Sequence, residues 1–199
     1  MVDTIGLIRH GSTPWNVQGR VQGQMNTDLS DEGRSQAHLL GLRLLHEQWD
    51  GMISSDLNRA RETAEIIARH ASIPLLHLDE RLRERNGGQI EGTTEAERID
   101  RFGPHWRDLD LGIESKQNIH NRRVHFLAYI SNTFQQGFKI LIVSHGSYIV
   151  GLLKMYGLEQ QEYLQNTSLT VIEREHDVWR LRLYNSLTHL DSSPGHTIK

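Results

Sequence analysis

Residues 7–16 read LIRHGSTPWN, and they join the end of an apolar run to an arginine, a histidine and a glycine. A short apolar run bounded by turn-forming residues is typical of a buried strand. Arg9 and His10 must then face water, a counter-ion or a ligand, because neither side chain is stable unpaired in an apolar layer. Gly11 allows a sharp turn, and the hydroxyl residues and proline that follow can start a helix. The stretch predicts an anion site; the alternative is a surface turn with an ordinary histidine.

Length and composition favour a single globular domain of α/β size. The chain has 199 residues, of which 37% are hydrophobic and 24% charged, and its formal net charge is −3. Nucleic acid is therefore not an expected partner, and a local cluster must attract any anionic ligand. The absence of cysteine excludes disulfides and thiolate catalysis, and no HExxH or paired Cys/His spacing predicts a metal. We find neither a signal peptide nor a membrane-spanning stretch, and therefore expect a cytoplasmic protein without a membrane partner.

Apolar runs alternate with stretches of helical periodicity along most of the chain. Strands are predicted at residues 5–8, 51–54, 73–78, 139–144, 169–173 and 179–184. Helices are predicted after Ser30 and at residues 55–71, 93–101, 118–134 and 147–155. Leu45 is expected on the core-facing stripe of the first helix. The apolar positions expected in the fourth are Val124, Leu127, Ala128 and Ile130. The alternation predicts an α/β fold, with a mostly parallel sheet covered by helices on both faces.

We predict one domain over residues 1–190. Residues 86–122 join a glycine-rich polar loop to a short helix and an irregular stretch, which is typical of a lid-like insertion. Residues 191–199 are mostly small and polar, with one proline and one glycine, and are expected to form a flexible C-terminal tail.

Cationic and imidazole side chains follow three of the predicted strands. His10 and His145 come directly after strands, and Arg59 lies in the first turn of the helix after another. Ligands of such sheets gather beyond the carboxyl ends of the strands, so we expect these three side chains at one edge. A cation in the first turn of a helix is disfavoured by the helix dipole, which indicates an anion nearby. The alternative is a solvated Arg59 that pairs with Glu62 or Glu65.

Five motifs, in this order, resemble those of the histidine phosphatase superfamily, which also contains cofactor-dependent phosphoglycerate mutase. They are LIRHGSTPWN from Leu7, QGQMNTDLSDEG from Gln22, SSDLNRARETA from Ser54, LRERNGGQIEG from Leu82 and VSHG from Val143. The resemblance covers residues 5–189, and Asn185 and His189 fit a recurrent C-terminal pattern. It implies a three-layer α/β/α sandwich with a mostly parallel central sheet. It also implies phosphoryl transfer through a phosphohistidine, with no metal and no cofactor.

The resemblance also implies a role for each matching residue. His10 would be the nucleophile, a neutral ring whose other nitrogen donates to an acceptor. Arg9, Arg59 and a protonated His145 would hold the phosphoryl oxygens. Glu84 would protonate the leaving oxygen and later take a proton from water. Further residues implied in phosphate or substrate binding are Asn16, Gln22, Gly23 and Gly146.

The sequence departs from the family pattern outside the phosphate-binding motifs. Ile90 stands where the family often has tryptophan, and Asn26 and Asp28 stand where it often has Asp-x-Pro. These changes affect the outer pocket and hence the choice of substrate. Without the resemblance, Glu84 would be interpreted as a surface carboxylate paired with a neighbouring arginine, Arg83 or Arg85.

The leading interpretation is a histidine phosphatase that hydrolyses a small-molecule phosphomonoester, with a homodimer left open. The first alternative is a cofactor-dependent phosphoglycerate mutase, which needs further basic residues for a substrate carboxylate. Asn86 and Gly87 stand where such mutases carry a tyrosine. The second alternative is a non-catalytic domain that binds a phospho-ligand, which would need neither the nucleophile nor the acid.

Overall fold

Strands and helices alternate along the chain, as the apolar runs predict. The computed structural model describes residues 2–191. Its strands are β1 (Thr4–Arg9), β2 (Gly51–Ser54), β3 (Leu75–Leu78), β4 (Lys139–Ser144), β5 (Leu169–Glu175) and β6 (Val178–Ser186). Its helices are α1 (Pro14–Val17), α2 (Asp31–Leu44), α3 (Asn58–Ala71), α4 (Glu95–Phe102), α5 (Lys116–Thr133), α6 (Gly146–Met155) and α7 (Thr188–Asp191). Short 3₁₀ turns cover Glu80–Leu82, Gly88–Ile90 and Trp106–Asp108.

The strands form one sheet in the order β3-β2-β4-β1-β5-β6. The pairings from β3 to β1 are parallel, and β5 and β6 extend the sheet as an antiparallel hairpin. Parallel neighbours end at the same edge, and Arg9 at the end of β1 pairs with Ser144 at the end of β4. The residues that follow these two strands are therefore brought side by side.

Alternate side chains of the central strands bury into opposite faces of the sheet, as the two-residue period of a strand requires. Ile140 and Ile142 of β4 pack in a cluster with α5 and α6. Leu141 and Val143 pack in a second cluster with α2 and α3. Helices therefore cover both faces, and the predicted three-layer α/β/α sandwich with a mostly parallel central sheet is confirmed.

Two predictions about helix faces are wrong. Leu45, expected on the core side of α2, lies just past the last helical residue and is 45% exposed. Val124 and Ala128 of α5 are exposed as well. The buried face of α5 carries Ile130, as predicted, together with Ile119, Phe126 and, unexpectedly, Arg123. The Arg123 guanidinium donates to the carbonyls of Ser147 and Tyr148 in the first turn of α6, and these bonds offset the cost of burying its charge.

The segment 86–122 contains α4, two of the 3₁₀ turns and the start of α5. It carries a small apolar cluster of its own, in which Ile90, Trp106 and Leu111 are buried. A lid function for this segment stays a prediction. Of the predicted tail, Asp191 ends α7 and residues 192–199 lie outside the described residues. Within residues 2–191, no helix combines the length and the apolar character needed to cross a membrane.

Candidate active site

The two predicted histidines meet at the carboxyl edge of the sheet. His10 follows β1 and His145 follows β4, and the backbone N–H of His10 donates to the carbonyl of Ser144 at 3.0 Å. The ring centroids of the two histidines lie 5.2 Å apart. Both rings are buried, with 3% and 0% of their residues' surface exposed. The strand order thus brings together two imidazoles that lie 135 positions apart in the sequence.

The surroundings of His10 select one tautomer of its ring. Nδ1 lies 2.8 Å from the carbonyl oxygen of Gly11, which can only accept, so Nδ1 must carry the hydrogen. Nε2 therefore holds the free lone pair and accepts from Nε of Arg59 at 3.3 Å. Burial, followed by the charges of Arg59 and Arg9, lowers the pKa of His10 well below its usual value of 6.5. This neutral tautomer is the one that attack by Nε2 requires.

Arg59 is fully buried at the start of α3, so the solvated alternative does not hold. Its Nη1 and Nη2 donate to the carbonyls of Met25 and Gly23 at 2.9 and 2.8 Å. Glu62 and Glu65 pair with other arginines. Burial lowers the pKa of Arg59 to about 10, so the guanidinium stays charged at neutral pH. The two carbonyls fix the position of the guanidinium, and its positive charge remains available to a bound anion.

The loop that holds Arg59 depends on Gly23. Its φ of +52° lies in the left-handed region, and a Cβ there would fall 1.9 Å from Oε1 of Glu91. The same carboxylate accepts from the backbone N–H of Gln24 and of Gly87, which joins two loops at the cavity wall. Gln22, also predicted, is 8% exposed and accepts from the Thr27 hydroxyl at 2.6 Å.

Arg9 places a second buried guanidinium beside His10. Nη1 donates to the carbonyl of Leu164 at 2.6 Å, and the Tyr163 ring centroid lies 4.8 Å from Cζ. Burial lowers the pKa of Arg9 from its usual value. Its Nε is buried without a hydrogen-bond partner among residues 2–191. Gly146 lies against this nitrogen, because a Cβ at Gly146 would be 3.6 Å from it.

His145 contributes another polar atom whose bonding capacity is unused. Nε2 lies 2.9 Å from the Ser55 hydroxyl, and Nδ1 is buried without a partner in the part of the chain that the structure describes. An unsatisfied buried polar group costs about 1–3 kcal/mol, and an acceptor or donor for Nδ1 supplied by a bound ligand would remove this cost. Burial is the main cause that lowers the pKa of His145 well below 6.5, and a bound dianion would raise it again.

Glu84 reaches the cavity from the loop after β3. Its carboxylate accepts from the backbone N–H of Arg85 at 2.7 Å and from that of Ser147 at 3.1 Å. The Ser147 hydroxyl donates to it as well. The surface ion pair considered for Glu84 is not formed, because Arg83 pairs with Asp56 and Arg85 contributes its backbone. Ser147, in the first turn of α6, thus holds the carboxylate at the wall of the cavity.

A cavity of about 850 Å³ joins these groups. Eight of the nine predicted residues line it: Arg9, His10, Asn16, Gln22, Gly23, Arg59, Glu84 and Gly146. The ninth, His145, lies behind the wall against the His10 ring. Its lining also includes apolar side chains, those of Trp15, Val21, Ile90, Trp106 and Ile113. Further basic side chains in the lining are those of Arg20, Arg85, Arg107 and Lys116, and the Arg107 guanidinium lies over the Trp106 ring.

Sequence reasoning missed three residues of this site. Ser147 holds Glu84, Tyr163 covers Arg9, and the Asn166 amide donates to the carbonyl of His10 at 2.9 Å. Ser147 could have been found, because it lies in the helix start that follows the VSHG motif. Tyr163 and Asn166 lie in an irregular stretch without periodicity, where no local signal marks them. In the described part of the chain, no group of three or more acidic or histidine side chains is arranged to hold a metal.

The chain belongs to the histidine phosphatase superfamily (branch 1), whose family model matches residues 5–187. It is 33% identical to the uncharacterized phosphatase PhoE of Bacillus subtilis, over 92% of this chain and 95% of that protein. It is also 33% identical to phosphoglycerate mutase-like protein 4 of Arabidopsis thaliana, over 95% of this chain and 87% of that protein.

A similar fold occurs in a solved mycobacterial structure, glucosyl-3-phosphoglycerate phosphatase in complex with VO3. The TM-score is 0.81 at 29% identity, and the match covers 93% of this chain and all of that chain. Relatives with phosphatase and with mutase-like names therefore share this fold and this length of chain.

Proposed function

We propose that this chain is a metal-independent phosphatase that hydrolyses small phosphomonoesters through a phosphohistidine on His10. The observation that carries the proposal is the state of that ring. Its Nδ1 hydrogen is fixed by a carbonyl, its Nε2 lone pair faces the buried guanidinium of Arg59, and the charge of Arg9 helps to keep the ring neutral. A site that only bound phosphate would have no need to keep a nucleophilic lone pair beside its cations.

In the first half of the proposed reaction, Nε2 of His10 attacks the phosphorus of the ester. The P–N bond forms as the bond between phosphorus and the ester oxygen breaks, and Glu84 gives its proton to the departing oxygen. Arg9, Arg59 and His145 balance the charge on the three phosphoryl oxygens in a region of low dielectric, where such contacts are strongest.

In the second half, water attacks the phosphohistidine. Glu84, now ionised, takes a proton from that water as the new P–O bond forms and the P–N bond breaks. Inorganic phosphate leaves, and His10 regains the neutral tautomer that the Gly11 carbonyl favours. The carboxyl group is thus restored to its starting state, and no redox partner or external base is consumed.

A mutase is the second candidate function, and two observations favour it. Several relatives have mutase names, among them phosphoglycerate mutase-like protein 4 and proteins named probable phosphoglycerate mutase GpmB. In addition, Arg85 and Lys116 line the outer cavity without forming an ion pair within residues 2–191, so they could bind a second anionic group. A mutase returns the phosphoryl group to an acceptor, whereas a phosphatase admits water to the intermediate.

The test is hydrolysis of p-nitrophenyl phosphate in the presence of EDTA, with phosphate release measured directly. We expect turnover that EDTA leaves unchanged and an acid-labile phosphoprotein on quenching. No turnover would indicate a binding domain. Interconversion of 2- and 3-phosphoglycerate that 2,3-bisphosphoglycerate stimulates, and that exceeds phosphate release, would indicate the mutase.

Replacement of the proposed acid should separate the two half-reactions. In Glu84→Gln the first half-reaction can proceed, because p-nitrophenolate leaves without needing a proton. The second half-reaction slows, because no carboxylate takes a proton from the attacking water. We expect a burst of about one p-nitrophenolate per site, followed by turnover about 10²–10⁴-fold slower than in the unmodified protein. An alkyl phosphate should show no burst. Glu80→Gln, an exposed carboxylate four residues earlier, is the matched control and should behave like the unmodified protein.

The His10 ring should remain neutral at a pH where free imidazole is protonated. Burial and two neighbouring cations disfavour the imidazolium, so its pKa is depressed and the lone pair survives as the pH falls through 6.5. Nitrogen-15 NMR of histidine-labelled protein should show the Nδ1–H tautomer of His10, without titration, between pH 7.5 and 5.5. A midpoint near 6.5 for this ring would contradict the assignment of the buried neutral ring.

A further inference from the structure

A bulge near the end of β6 directs the Asn185 side chain away from the sheet. The register between β5 and β6 shifts at Thr170, where Tyr184 and Asn185 together face a single residue. Asn185 has a φ of 50°, a left-handed conformation that asparagine adopts more readily than most residues. Its backbone N–H donates to the Thr170 hydroxyl at 3.1 Å. Bulges of this kind re-aim a side chain.

The re-aimed amide binds two backbone groups of the segment 162–167. Its Nδ2 donates to the carbonyl of Tyr163 at 3.0 Å, and its Oδ1 accepts from the backbone N–H of Gln165 at 2.8 Å. The neighbouring Tyr184 hydroxyl donates to the carbonyl of Glu162 at 2.6 Å. The two hydrogen bonds of Asn185 lie on either side of residue 164. They replace the hydrogen bonds of a neighbouring strand, because the segment 162–167 is not part of the sheet.

The segment held in this way touches Arg9, the last residue of β1, and His10, which follows it. The carbonyl of Leu164 accepts from Nη1 of Arg9, and the Tyr163 ring covers the same guanidinium. The Asn166 amide donates to the carbonyl of His10. Arg9 forms no ion pair within residues 2–191, so the Leu164 carbonyl and the Tyr163 ring are the contacts that set the direction of its guanidinium.

We propose that Asn185 is a positioning residue for phosphoryl transfer, which acts by fixing the segment 163–165 so that this segment aims Arg9 at the phosphoryl group. The inference rests on the proposed phosphatase function. Arg9 binds through directed N–H groups, and a displacement of about 1 Å in such a group can cost on the order of a hundredfold in rate. The competing explanation is that Leu164, 2% exposed, is held by its own burial and needs no clamp.

The variant Asn185→Gly tests this, because glycine keeps the left-handed backbone and removes only the amide. We expect the inhibition constant for orthovanadate to rise about tenfold, and kcat/KM for p-nitrophenyl phosphate to fall about 10–100-fold. Ser186→Ala is the matched control: it removes a hydroxyl bonded to Arg43 at the adjacent position of β6 and touches nothing in 163–165. It should change neither constant, although we expect both variants to lower the melting temperature by a few degrees.

A double-mutant cycle with Arg9→Gln separates positioning from general loss of structure. If Asn185 acts through Arg9, then Asn185→Gly should change kcat/KM by less than about twofold when Arg9 is already glutamine. If Asn185→Gly lowers kcat/KM by the same factor in the unmodified protein and in the Arg9→Gln variant, the inference is overturned. If Asn185→Gly does not fold, Asn185→Asp serves in the same cycle, since aspartate keeps the contact with Gln165 and places a carboxylate oxygen against the carbonyl of Tyr163.

A binding readout keeps this inference separate from the proposed function. If the unmodified protein hydrolyses no phosphomonoester, the phosphatase proposal fails, but calorimetric titration with inorganic phosphate still reports on Arg9. A phosphate dissociation constant that is raised about tenfold in Asn185→Gly would then support the clamp. An unchanged constant in a folded Asn185→Gly protein would overturn it.

Discussion

His10→Ala should lower kcat/KM for any phosphomonoester by at least about a thousandfold, the largest effect expected of a single substitution in this chain. The variant loses the nitrogen that we propose forms the P–N bond, whereas the guanidiniums that we propose bind the phosphoryl group remain. Inorganic phosphate should therefore still bind, and its calorimetric dissociation constant should change far less than the rate. The acid-labile phosphoprotein should disappear.

The control for this substitution is His46→Ala, which removes an exposed ring beyond the end of α2. It should leave both activity and phosphoprotein formation intact. Because the His10 ring is buried, the free energy of unfolding of both variants should be compared by denaturant titration. A His10→Ala protein that is folded and still accumulates phosphohistidine would place the nucleophile on another residue.

Arg59→Ala should lower kcat/KM by at least about a hundredfold, the second-largest effect. This guanidinium contacts Nε2 of His10 and is held by the carbonyls of Gly23 and Met25, so its loss removes charge from the nitrogen at which we propose the phosphoryl group is transferred. Arg59→Lys should recover little of the loss, because one ammonium cannot satisfy two carbonyls and contact the imidazole in the same directions.

Arg61→Ala is the matched control, since it removes an arginine from the same turn of α3. Arg61 is exposed and pairs with Glu65, and surface pairs of this kind contribute about 0–1 kcal/mol. Its removal should leave kcat and KM within about twofold of the unmodified values. Loss of activity in both variants alike would assign the effect to the stability of α3 and not to the phosphate-binding site.

The elements with sharp sequence boundaries were predictable, and those whose packing depends on a distant partner were not. β2 and β4 begin and end where predicted, because each is an apolar run with polar residues or glycine at its ends. The prediction for α5 was right at Ile130 but wrong at Val124 and Ala128, which are exposed, and it did not include Arg123, which is buried. No periodicity rule places an arginine in a core, and only the carbonyls of α6 make this position tolerable.

The same distinction applies to the candidate site. His10, His145 and Arg59 were predicted to share one edge, because parallel strands carry their following residues to the same side of the sheet. The Ser55 hydroxyl contacts His145 and accepts from the backbone N–H of Leu57, and both contacts depend on the packed structure. The contribution of Asn185 could not be predicted, because it depends on a bulge that changes the direction of one side chain near the end of an edge strand.

The adjacency of β1 and β4 has a consequence for how this protein gains activity during synthesis. The strands that carry the two imidazoles are separated by most of the chain, so their pairing is a contact of high sequence separation that forms slowly. A ribosome-bound chain that ends before residue 139 contains β1 but lacks β4. His145, which follows β4, is then also missing, and His10 has no second imidazole beside it. Enzymatic turnover should therefore start abruptly on stepwise chain elongation, and during refolding it should follow the completion of the sheet and not the earlier gain of helix.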